Sequence, residues 1–122
     1  MDKITIKVNG IPEALSNLKK YQFRKREQIK SELRIGAFKV EGLAKDVCPV
    51  DTGNLRSKIT TDDSHIRYLV MRVGTDVFYA PYVEFGTKVM VARPFLFPAF
   101  FAYENDIVKA IGRVLKRDIE IG

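Results

Sequence analysis

One cysteine and one histidine occur among 122 residues, and these two scarcities exclude several kinds of chemistry. A lone Cys48 permits no internal disulfide and fits a reducing compartment. It precedes Pro49, with no thiol partner or basic motif at a recognisable spacing, so a small packed residue is expected rather than a nucleophile. With His65 alone, a histidine-based metal site would need carboxylates that the sequence does not gather around it. No apolar run approaches the roughly 18 residues of a membrane span. The stretch Met1-Asp2-Lys3-Ile4-Thr5-Ile6 lacks the apolar core of a secretion signal, so neither membrane insertion nor general secretion is expected. Internal repeats, linkers and low-complexity tracts are also missing. The length suits one domain over residues 1–122.

The apolar share of 46% and charged share of 30% are those of an ordinary soluble protein. The net charge of +6 is unevenly spread: Lys19, Lys20, Arg24, Lys25, Arg26, Lys30 and Arg34 face only Glu27 and Glu32. Such a stretch is either a solvated helix face or an electropositive surface for DNA or an acidic partner.

Hydrophobic periodicity supplies the elements. Ile4, Ile6 and Val8 alternate with polar residues over 3–9, which predicts a half-buried strand ending at Asn9-Gly10. Pro12 suits a first helical turn, and Ile11, Leu15 and Leu18 continue at helical spacing to about Lys20. Ile29, Leu33, Ala37, Val40, Ala44 and Val47 share one face of a long helix that Cys48-Pro49 terminates. Gly36 and Gly42 interrupt it, either to admit a close neighbour or by bare tolerance. Whether Pro12 to Val47 is one bent helix or two is left open by Gln22 and Lys25, which break the stripe.

Leu55, Ser57 and Ile59 alternate with Arg56, Lys58 and Thr60, and Ile66, Tyr68, Val70 and Arg72 alternate with Arg67, Leu69, Met71 and Val73, the second run apolar on both phases near its end, so two strands are expected around a turn at Asp62-Asp63-Ser64. A final helix is expected from Pro94 or Pro98 to about Ile119, with Phe97, Phe100, Phe101, Ile107, Val108, Ile111, Val114 and Leu115 as its stripe. The fold class is therefore α+β. A small antiparallel sheet, made of the N-terminal strand, the hairpin and a loop, packs against a long central helix and a C-terminal helix.

Three segments join backbone punctuators to aromatic clusters. In the corner Pro49-Val50-Asp51-Thr52-Gly53-Asn54-Leu55-Arg56, a side chain of Asp51 or Thr52 bonds the backbone while Gly53 supplies the turn. Leu55 is expected inward and Arg56 outward or towards a carboxylate. In Tyr79-Ala80-Pro81-Tyr82-Val83-Glu84-Phe85-Gly86-Thr87, Pro81 argues for a loop that wraps the sheet. Glu84, if buried, needs a partner, for which Arg56 and Arg93 are the candidates. In Ala92-Arg93-Pro94-Phe95-Leu96-Phe97-Pro98, the aromatics either enter the core or stay exposed for a neighbouring subunit.

In this order the three segments resemble the gene-ten-like family of tailed phages. The resemblance implies a virion structural protein that acts in assembly at the head–tail junction, at the neck or in tail completion, as a ring subunit, commonly one of six. Other neck, connector or tail proteins are its implied partners, and contact with packaged DNA is conceivable through the basic stretch. Its implied places are the virion and, during assembly, the host cytoplasm. The structural or interface candidates are Asp51, Thr52, Gly53, Leu55, Arg56, Tyr79, Tyr82, Glu84, Phe85, Gly86, Thr87, Arg93, Pro94 and Phe95. No catalytic, cofactor-binding or metal-binding residue is expected. Family members often carry a longer segment where this chain has only Lys88-Val89-Met90-Val91. Two rival classes are a basic nucleic-acid-binding protein, which lacks a recognisable binding motif, and a small hydrolase using Glu84 and Asp51.

Overall fold

The computed structural model describes residues 4–9, 23–49 and 54–121. Strand β1 (Ile4–Asn9) is followed by helix α1 (Phe23–Val47), a one-turn helix α2 (Asn54–Ser57), β2 (Thr60–Asp62), β3 (Val70–Thr75), a short helix α3 (Ala80–Phe85) and α4 (Leu96–Ile121). The expected helix over Pro12 to Lys20 and the Asp51-Thr52-Gly53 corner lie outside the described residues. So does the question of one helix or two.

The architecture is α+β, as the periodicity implies. The antiparallel sheet has the order β1-β3-β2, with Ile6 and Thr61 both opposite Val73. α1 lies against both β3 and α4. It does so because Ile29, Leu33, Ala37 and Val40 present a continuous fully buried stripe. That stripe meets Met71 and Val73 of the sheet, Ile111 of α4, and Phe95 and Leu96 at the start of α4 in one core. Val47 departs from the expected stripe: it ends the helix half-exposed, and Cys48 is buried instead.

Gly36 and Gly42 prove unlike each other. A Cβ on Gly36 would collide with the Ile107 side chain of α4, whereas one on Gly42 meets nothing. Gly36 is therefore where the two long helices approach. Gly36→Ala should cost about 1–3 kcal/mol by overpacking. Gly42→Ala should gain up to about 1 kcal/mol from helix propensity. Urea midpoints of the two variants check the pair, and equal shifts would contradict this account of the crossing.

Two expected strands are corrected. Residues 55–60 begin as helix α2, and only Thr60–Asp62 form a strand. Leu55 and Ile59 are buried while Ser57 is exposed, as spacing of four on a helical turn demands. Ser57 instead bonds through its hydroxyl to the Asn54 carbonyl at 2.9 Å. The second strand starts at Val70 rather than Ile66, because Ile66–Tyr68 form a 3-10 turn. Leu69 closes that turn at φ 62, a left-handed conformation unfavourable for a branched side chain, held while its side chain is buried in the core. The hairpin turn is thus longer than Asp62-Asp63-Ser64. Its first bend is an Asx turn, with the Ser64 N–H donating to Asp62 Oδ1 at 2.9 Å. This bond holds the Asp62 carboxyl below the usual carboxylate range.

Candidate interaction face

The segment expected to be a wrapping loop is helix α3. Pro81 occupies its first turn, where a missing N–H leaves no gap. Gly86 ends it at φ 78, and a Cβ there would lie 2.8 Å from the Ala92 nitrogen and 2.9 Å from the Met90 carbonyl oxygen. Only glycine fits where the chain folds back on itself so closely.

Residues 86–95 return along α3 and are pinned at several points. The Thr87 N–H donates to the Met90 carbonyl at 2.8 Å, and the Arg93 N–H to the Val83 carbonyl at 2.8 Å. Thr87 Oγ1 accepts from the N–H groups of Val89 and Met90 at 3.2 and 3.0 Å.

Glu84 closes the arrangement from beneath. Its side chain is buried, and its carboxylate takes three backbone N–H groups at the start of α4. Oε1 accepts from Phe95 at 3.1 Å and Leu96 at 2.9 Å, and Oε2 from Phe97 at 3.2 Å. A helix begins with four N–H groups that have no partner in the helix. Counted from Phe95, the residue before α4, three of them meet Glu84, and the fourth would belong to Pro98, which has no N–H. The positive end of the helix dipole adds to the fit. Arg56, one expected partner, lies instead 3.8 Å from Asp46 at the surface. Arg56, Arg93 and Glu84 are nevertheless all near enough to act on Cys48, whose thiol burial pushes above its usual pKa.

Above this clasp lies an apolar face. Phe78, Tyr82 and Phe85 recur at steps of four and three, and all three are more than half exposed. The Phe85 and Phe97 ring centroids are 5.8 Å apart, and those of Phe97 and Phe101 are 6.1 Å apart, so the ridge continues from α3 onto α4. Beside Gly86, Val89 is 97% and Val91 84% exposed. The loop is thus fixed by its hydrogen bonds while it turns two valines into solvent, which makes it a candidate contact surface.

The sequence candidates divide accordingly. Tyr82 and Phe85 are on the face, Gly86, Thr87 and Arg93 hold the loop, and Pro94 is exposed next to it. Phe95 is fully buried and acts as a core anchor. Leu55 is buried as expected, and Tyr79 Oη accepts from Asn54 Nδ2 at 3.3 Å, tying α3 to the start of α2. Sequence reasoning missed Phe78, Val89, Val91 and Phe101 as surface residues. Phe78 had a signal, since it precedes α3 and belongs to no core stripe, whereas Phe101 departs from the expected stripe of α4 by being exposed.

The basic set is less uniform than its composition implies. Lys19 and Lys20 lie outside the described residues. Lys25 is not a surface cation: it is 9% exposed, with Nζ donating to the Val114 carbonyl at 2.6 Å. Arg26 donates to the Arg67 carbonyl, and Lys30 pairs with Glu27 at 3.0 Å. Arg24 is exposed and Arg34 half-buried. Among the described residues no His/Cys/Asp/Glu cluster is placed to hold a metal ion, and no helix is long and apolar enough to cross a membrane.

A model of the family described as "Bacteriophage HK97-gp10, putative tail-component" matches residues 12–86, more than half of the chain. The match takes in α1, the hairpin and α3, and stops at Gly86, before the loop and α4. No curated protein and no solved structure matches.

Proposed function

Because the chain belongs to the HK97-gp10-like family of bacteriophage tail components, we propose that it acts in virion assembly at the head–tail junction, as one subunit of a ring. The observation that carries this reading is the aromatic face of α3 and α4, preformed over the Glu84 clasp and unused by the core. The exposed side chains of Phe78, Tyr82, Phe85, Phe101, Val89 and Val91 together offer roughly 700–800 Å², close to the share of one partner in a standard interface, about 800 Å². Neighbouring copies and the adjoining neck, connector or tail proteins are the partners such a face suits.

In this mechanism the subunits stay soluble through their net charge of +6. A preformed end of the tail or connector then supplies the template on which they gather. Aromatic and valine contacts supply affinity, and the surrounding charges set register. Contact with packaged DNA would fall to Arg24 and Arg34, since Lys25 is buried.

The test is electron microscopy of particles made when the gene is disrupted in its parent phage. Filled heads accumulating beside separate, complete tails are expected. Normally joined, infectious virions would remove the junction role.

A further inference from the structure

We infer that free copies of the protein pair through α4, the two helices lying antiparallel about a two-fold axis between Glu104 and Asn105. At about 100° per residue, Phe97, Phe101, Val108, Gly112 and Leu115 fall within one arc of α4, with Glu104 and Asn105 at its edges. Leu96, Ala99, Ile107, Ile111 and Val114 enter the core from the arc on one side. Asp106, Lys109, Arg113 and Lys116 make an exposed, charged flank on the other. The stripe between them is apolar yet open. Phe101 is 61% and Val108 49% exposed, and a Cβ on Gly112 would meet nothing within 4 Å. An amphipathic helix has one apolar stripe to bury. α4 has two, and its own fold covers only the first.

The spacing of the open stripe selects a second copy as its occupant. Phe97 and Gly112, Phe101 and Val108, and Glu104 and Asn105 lie equally far on either side of one point. Two copies turned about that point set Phe101 of each against Val108 of the other. Each Phe97 then falls opposite the bare backbone of Gly112, a large side chain over a gap, as interdigitating helices require. Near the axis the Asn105 amide of one copy comes within reach of the Glu104 carboxylate of the other. A parallel pair would instead set Phe97 on Phe97 and Gly112 on Gly112.

The size of the stripe fits a reversible contact. It is about 27 Å long and about 10 Å wide, which gives roughly 300 Å² per copy. Phe85, 60% exposed and 5.8 Å from Phe97 between ring centroids, widens one end. A stable interface takes about 800 Å² from each partner, and here the two Glu104 carboxylates also face each other across the axis. The pair is therefore weak. Weakness suits a form that later gives way, because Phe97 and Phe101 also belong to the ridge assigned above to assembly. Pairing withholds them until a template displaces the second copy. The dimer itself does not depend on the junction reading.

Sedimentation equilibrium of the purified full chain between about 1 μM and 1 mM tests the pair. The average mass is expected to climb from one chain towards two and to stop there. Gly112→Leu fills the gap opposite Phe97 and should weaken the dimer at least ~10-fold. Its melting temperature should stay at or above the parent's, since the added side chain meets open space in the monomer and favours the helix. Glu104→Gln removes the facing charges and should tighten the dimer by about 2–5-fold. A mass of one chain throughout, or a Gly112→Leu variant that pairs as the parent does, would overturn the proposal. Cysteines check the register in a Cys48→Ala background, which holds no other thiol. Under air oxidation, a mixture of Phe101→Cys and Val108→Cys chains should form disulfide dimers faster than either variant alone. Phe101→Cys chains that join one another as readily would overturn the antiparallel pairing. A monomeric protein whose gene disruption still leaves heads and tails apart would refute the dimer and spare the junction reading.

Discussion

Glu84→Ala is expected to destabilise the protein by about 3 kcal/mol, because it strands three N–H groups at once, those of Phe95 and Leu96 buried and that of Phe97 part-buried. For a chain of this size that is a fall in melting temperature of roughly 10–15 °C. Glu84→Gln should be milder, at about 1–2 kcal/mol. Its single amide oxygen can still accept from Phe95 and Leu96, but its NH₂ group would point at the Phe97 N–H. Alternative partners are poor: Pro94 and Pro98 flank the three donors and leave the chain little freedom to turn them to water. Thermal unfolding of both variants checks the order, and amide exchange at Phe95–Phe97 should quicken in each. An alanine variant that melts within about 2 °C of the parent protein would show that the carboxylate is dispensable to the helix start.

Val89→Asp combined with Val91→Asp should have the opposite profile. Both side chains are almost entirely in solvent, so the folded state loses no packing and its stability should stay within about 0.5 kcal/mol of the parent. Binding is another matter. An unpaired carboxylate trapped against an apolar partner costs about 3 kcal/mol or more, equivalent to at least a ~100-fold loss of affinity. The expected result is a fully folded protein and a titre of infectious particles reduced by about that factor, with unjoined heads and tails in the lysate. Normal titre from this variant would exclude the loop from assembly.

These two residue types also mark where sequence reading succeeds and where it stops. The long stripe of α1 was legible because five turns repeat one period, and no other structure buries Ile29, Leu33, Ala37 and Val40 together. The stretch from Leu55 to Ile59 was ambiguous by arithmetic. Residues four apart share a side in a strand and in a helix alike, and only Ser57 separates the two. At Leu69 the left-handed turn has no sequence signature, since a leucine there runs against its own backbone preference. In α3, Pro81 was a true signal with two meanings, since proline both breaks a strand and opens a helix.

Glu84 shows a different limit. Its burial demands a partner, and a sequence suggests cations because cations are visible as residue types. Backbone N–H groups are not. They become donors only once α4 starts where it does, with Pro98 at its third position. The exposed valines were missed for a related reason: a short apolar run without a period looks like buried filler until the turn around Thr87 is known.

The Glu84 clasp makes the loop and the first turn of α4 one opening unit. The loop cannot swing away from Val83 and Glu84 without unzipping Phe95–Phe97, and Phe95 and Leu96 are anchored in the core. Order at the surface is therefore a report on order inside. A copy whose core has not consolidated has no rigid tip to offer, and a growing assembly that grips the tip admits only finished copies. On the assembly role proposed above, this coupling would screen out unfinished copies, and it follows from where one carboxylate finds its donors.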